Sequence, residues 1–239
     1  MSIERKRSTI KRNTSVLIFG LIGLMQAYYG EAQNRLLDQN SSLTALTKLA
    51  KCGKWESVKQ DNGVDISYRW LAFGDTLKTR EVATCFIADA RVEDVLINLR
   101  TKQALETWNN GVRELNLLKN TDSSWITHTI YNIPYPFSQQ DLVLKNTIER
   151  SADLTLVHVK ALPEYIALVD DVNRQRYYRG QWTLKPLVGG KTEVHFSVIS
   201  FSKSSIPRFI RDPIIQHALL SSFIKLKALS TKSARMAVL

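Results

Sequence analysis

The residues able to move a proton or hold a metal are few in this chain of 239 residues. There are four histidines, His128, His158, His195 and His217, and two cysteines, Cys52 and Cys85. Three of the histidines fall on different predicted strands, where they could converge as a general base or as metal ligands. None has a second histidine or a carboxylate at ligand spacing within its own element, beyond the alternation of Glu193, His195 and Ser197. That alternation reads as a solvated strand face. Two cysteines with scattered histidines do not form a zinc pattern of known spacing. Asp170-Asp171 is a carboxylate pair, but it lies in a polar loop between predicted strands. No nucleophile elbow, phosphate loop or dinucleotide fingerprint occurs. We therefore assign no catalytic residue, no metal ligand and no cofactor from the sequence.

The aromatic residues carry more information. Trp108, Trp125, Tyr131, Phe137, Trp182 and Phe223 lie on predicted strands or helices or beside them, and most are expected in the core. In a fold that encloses a space, core aromatics double as walls. The expected ligand-binding residues are Tyr131, Trp182, Phe196, Phe223 and His128. Tyr131 and His128 sit on alternate faces of one strand, so only one of them can point inward. Val194, Phe196 and Val198 on one strand, and Ile126 and Ile130 on another, make apolar walls. His128 shares its alternation with Ile126 and Ile130. If it lies inside, it is the one candidate base for an enzyme.

The elements that must position these residues follow from periodicity. Ser42 caps a short helix over about 43–52. Asn62-Gly63 marks a turn, and Val64, Ile66 and Tyr68 alternate after it as a strand. A second strand covers 77–88. Asp89 is the expected N-cap of a helix with Val92, Val95, Leu96 and Leu99 on one face. Asn109-Asn110-Gly111 ends that region. Strands are expected at 112–119, 124–132, 141–150, 154–162, 177–186 and 191–201, joined by short turns, which makes the sheet antiparallel. Pro207 opens a long helix to about 229, with a break or kink expected at Pro213. The fold class is α+β: a curved antiparallel sheet around a long C-terminal helix, with an apolar cavity where the two diverge.

The first residues read as a targeting segment. Arg5, Lys6, Arg7, Lys11 and Arg12 precede an apolar run from Val16 to Met25 and a small-x-small site, Gly30-Glu31-Ala32. The apolar run is shorter than the ~20 residues that span a bilayer. We expect a cleaved signal peptide over 1–32 and an exported, periplasmic or secreted protein; an N-terminal membrane anchor is the alternative. A polar leader over 33–42, one domain over 43–230 and a tail over 231–239 complete the organisation. The formal net charge is +11. Apart from the N-terminal cluster, Lys and Arg are scattered, which argues against a nucleic-acid groove. Ile206-Pro207-Arg208-Phe209-Ile210-Arg211 mixes apolar and basic residues and could touch an anionic membrane surface. In an exported chain Cys52 and Cys85 could pair or stay free.

Several segments resemble START-type lipid-transfer domains, of the superfamily that includes polyketide cyclases and the birch-pollen allergen. They are Asn62-Gly63-Val64-Asp65-Ile66, Val92 through Asn109 with Val112-Arg113-Glu114-Leu115, Pro134 through Val143, Gly180-Gln181-Trp182-Thr183-Leu184, and Ser205-Ile206-Pro207. Gln140 stands where the family often has Arg, and Ser202-Lys203-Ser204-Ser205 replaces its acidic, Gly-containing turn. The resemblance covers about 50–230. It implies a helix-grip fold that binds, and could transfer, a lipid or other hydrophobic ligand without being an enzyme. A cyclase, aromatase or hydrolase on the same fold is the alternative.

Overall fold

Alternation of apolar and polar residues dominates the chain after residue 50, and it builds one sheet. The computed structural model describes residues 42–75, 77–133, 138–201 and 208–236, with side chains of the last helix described for 212–232. These belong to a compact unit, Ser41–Leu239. The expected signal peptide, the leader up to residue 41, the Pro134–Phe137 turn, Ser202–Pro207 and residues 237–239 lie outside the described residues.

Helix α1 (Leu43–Leu49) starts at Ser42, whose hydroxyl accepts from the Ala45 N–H at 3.2 Å, as expected. It stops three residues early, because Lys51–Cys52 forms a short strand, β1, on the edge of β3. β2 (Glu56–Asp61) and β3 (Val64–Phe73) form a hairpin across Asn62-Gly63. Both turn residues have positive φ, 49° and 68°, which fits a two-residue turn of the primed type. β4 covers Leu77–Ala88.

Two helices then replace the one region read from periodicity, α2 (Val92–Arg100) and α3 (Lys102–Trp108), separated at Thr101. Asp89 does not cap α2. Arg91 is the capping residue, and the Asp94 carboxylate accepts its backbone N–H at 3.2 Å. That bond satisfies the cap from inside the helix and leaves Asp89 exposed.

The remaining strands are β5 (Val112–Thr121), β6 (Ser124–Tyr131), β7 (Gln139–Arg150), β8 (Thr155–Ala161), β9 (Val172–Arg174), β10 (Tyr177–Leu187) and β11 (Lys191–Phe201). The sheet order is β1-β3-β4-β11-β10-β8-β7-β6-β5, with β2 added on β3 and β9 on β7. Among the described residues only the β7–β9 pairing is parallel. β1, β2 and β9 were not read from the sequence. β1 and β9 are two and three residues long, and β2 carries a single apolar residue, Val58.

Helix α4 (Arg208–Met236) lies over one face of the sheet, against β2, β3, β4, α2 and α3. It runs through Pro213 without the expected break. Pro213 is the sixth residue of the helix, so only about one intrahelical bond is forfeited there. Among the described residues no helix is long and apolar enough to cross a membrane.

Candidate ligand-binding site

Strand register fixes which side chains face α4. Trp125, Val157, Val159, Trp182, Leu184, Val194, Phe196, Phe86, Val64 and Ile66 share one buried core with Leu220, Phe223 and Leu226 of α4. Directly opposed residues of antiparallel strands share a face. The inner face therefore also carries Tyr131, Thr129, Leu142, Tyr178, Val198, Val82, Tyr68, Trp70 and Arg80.

This face has two halves. Under the middle of α4 an aromatic cluster closes the gap. Trp182 and Phe196, opposed across β10 and β11, have ring centroids 4.4 Å apart. Phe223 lies 5.8 Å from Trp182 and 5.9 Å from Phe196, and Trp108 lies 6.2 Å from Trp182. The helices are keyed around it. Trp108 Nε1 donates to the Asn98 carbonyl at 2.9 Å, Ser222 Oγ accepts from the Asn110 N–H at 2.9 Å, and Lys227 Nζ donates to the Asn62 carbonyl at 2.8 Å. Gly180 makes room for the cluster: a Cβ there would stand 3.3 Å from the Phe196 ring.

Toward the end of β11 and the start of β10 the inner face opens. Val82, Val198, Tyr131 and Tyr178 are only half-buried there. Burial nevertheless pushes the Tyr131 phenol up to about 12. Burial also raises Tyr178, and the neighbouring Tyr131 adds to that shift. Val82, Tyr178 and Val198 pack against the edge of the core at this end. At its edge Arg80 pairs with Asp212 of α4 at 2.8 Å, with the guanidinium 5.0 Å over the Tyr68 ring and 5.7 Å over Trp70.

The expected wall residues therefore separate. Trp182, Phe196 and Phe223 are inward, and they pack mainly on each other. Tyr131 is inward at the open half. His128 is not on this face, and neither are Ile126 and Ile130, which share its alternation and were expected as apolar walls. His128 shares β6 with Trp125 and Tyr131 at the opposite alternation, so it points to the outer face of the sheet. There its Nε2 meets Asp141 at 2.8 Å, and Arg174 of β9 holds the same carboxylate at 2.7 Å. Arg174 also donates to the carbonyls of Pro163, Ile166 and Ala167, which ties the β8–β9 loop down. Burial opposes charge on Asp141, but hydrogen bonds from Arg174 and His128 outweigh it and hold the carboxyl below its usual range. Tyr178 and the Arg80–Asp212 pair were missed. Tyr178 shares the alternation of Trp182 and was legible on that ground. Arg80 and Asp212 are joined only by the fold.

The two cysteines are free. Cys52 is opposite Leu71, and Cys85 is opposite Asp65, both on β3. Six residues of strand separate those positions, roughly 20 Å, against the ~7 Å between Cα atoms that a disulfide tolerates.

No family model matches the chain. An uncharacterized protein of Pseudomonas aeruginosa is 27% identical over 186 residues, 74% of this chain and 87% of that protein. Among solved structures, a STAR-related lipid transfer protein from Xanthomonas axonopodis is 26% identical, covers 74% of this chain and 99% of its own, and superposes with a TM-score of 0.65. Human StAR-related lipid transfer protein 5 is 14% identical, covers 90% of this chain and all of its own, and gives a TM-score of 0.59. Together with the curved antiparallel sheet and the long C-terminal helix on its inner face, these likenesses identify the architecture: the chain has the START-like helix-grip fold.

Proposed function

We propose that this protein binds a lipid or a similarly apolar molecule between the inner sheet face and α4, and carries it rather than transforming it. The observation that carries this reading is the open half of the inner face. Val82, Val198, Tyr131 and Tyr178 face α4's side of the sheet there and keep accessible surface. Apolar surface withdrawn from water there stabilises a complex by roughly 25 cal/mol per Å². The Arg80–Asp212 pair at the edge can take a polar headgroup, and the two tyrosine hydroxyls can orient one. Likeness to the Xanthomonas lipid transfer protein supports the same reading.

The carrier reading gains from the place of His128. The candidate base of the cyclase or hydrolase alternative is bound to Asp141 on the far side of the sheet. The inner phenols, raised above their usual range, stay protonated at neutral pH and are poor proton acceptors. Export of the chain belongs to the proposal, as does contact of the start of α4 with an anionic membrane. Mass spectrometry of an organic extract of the purified full-length protein tests the central point. A defined lipid in near-equimolar amount is the expected result. An extract free of apolar ligand, together with turnover of an ester or aromatic polyketide, would overturn it.

A further inference from the structure

The outer face of the sheet carries a second cluster of chemistry-bearing side chains, across β4 and β11. His195 and Cys85 are directly opposed in register, and Glu193 precedes His195 by two residues on the same face. One ligand atom from each of Cys85, Glu193 and His195 lies within 4.8 Å of the other two. His195 Nε2 and Glu193 Oε1 are 3.9 Å apart. The thiol is half-buried and the imidazole exposed, so the cluster opens to solvent on one side. Asp65 stands opposite Cys85 on the other neighbour, β3, with its carboxylate oriented by the hydroxyls of Ser57 at 2.7 Å and Ser67 at 2.5 Å. Burial first, and then the charges of Glu193 and Asp65, push the Cys85 thiol up. A basic residue, Lys185, stands directly opposite Glu193 on β10.

We propose that Cys85, Glu193 and His195 form a binding site for one thiophilic divalent cation of the zinc type, with its fourth position open to water. Thiolate, imidazole and carboxylate are the donor set that such ions take. Three protein ligands with an open position make the tetrahedral geometry, with metal–ligand distances of about 2.0–2.3 Å. The donor atoms approach such a geometry through side-chain rotation, since all three sit on adjacent, hydrogen-bonded strands. Thiolate and carboxylate together neutralise the ion. The site is separated from the lipid space by the sheet itself, and it was hidden in the sequence because Cys85 lies over a hundred residues before its partners.

Cobalt(II) is the probe, added to the reduced full-length protein. Expected is a thiolate-to-cobalt charge-transfer absorption, with the visible bands of a four-coordinate centre, saturating at one ion per chain and displaced by Zn²⁺. Cys85→Ser should abolish the charge-transfer band. His195→Ala and Glu193→Gln, at solvent-facing positions that spare the core, should each weaken cobalt binding about tenfold or more. Cys52→Ser should change nothing. The proposal is overturned if the wild-type chain gives no such band, if the band follows Cys52, or if folded His195→Ala binds as tightly as wild type. Ligand binding on the inner face should be untouched by all of these variants, so failure here leaves the carrier reading standing.

Discussion

Asp141 is the residue whose environment makes the sharpest solution prediction. It is 1% exposed and holds both His128 and Arg174. Its carboxyl is held below the usual range, so its stabilisation is present above the unfolded value of about 3.9 and is lost as pH falls through the folded one. Asp141→Asn should lower the melting temperature at neutral pH, and the difference from wild type should shrink on acidification below about pH 4; a pH series of thermal melts checks this. Trp182→Ala and Phe223→Ala remove rings from a mutually packed cluster and should each cost about 3–5 kcal/mol in denaturant unfolding. Their effect on ligand affinity should be secondary to that loss. Which side chains face inward was legible in part. Alternation placed Trp182 and Phe196 on inward positions, but it left Tyr131 against His128 open and put Ile126 and Ile130 on the wrong face. That choice depends on which face of β6 meets the helices, and Trp125, buried in the common core, decides it.

At the scale of elements, hydrophobic alternation located β4 to β8, β10 and β11 to within about two residues, and found the start of β3 but not its run to Phe73. It failed where a strand is held by pairing rather than by burial. β2 is an exposed edge strand whose position comes from the Asn62-Gly63 turn and its ladder to β3. That turn needs left-handed backbone at both positions, and Lys227 of α4 donates to its Asn62 carbonyl. Gly63→Ala should therefore destabilise the fold by about 1 kcal/mol or more, read as a shifted urea midpoint with unchanged slope. The capping of α2 was misplaced for a related reason. A carboxylate reaching back from inside the helix serves as well as one before it, and sequence spacing alone does not separate Asp89 from Asp94.

For the whole molecule, the open half of the inner face joins fold to proposed function. If the chain is exported as its first residues imply, N-terminal sequencing of the envelope or secreted fraction should begin at Gln33; an intact Met1 would point to an anchor. The most direct test of the carrier account is the affinity of purified Val198→Trp for a fluorescent long-chain fatty acid, measured beside wild type. Val198 is half-buried on the inner face, opposite Gly180 on β10 and Val82 on β4, so the indole would fill the space assigned to the ligand. Overfilling costs ~1–3 kcal/mol of stability, so folding is confirmed by circular dichroism at the same temperature. The account predicts saturable binding by wild type and a loss of about tenfold or more in the folded variant. Equal affinity in the two proteins would contradict it.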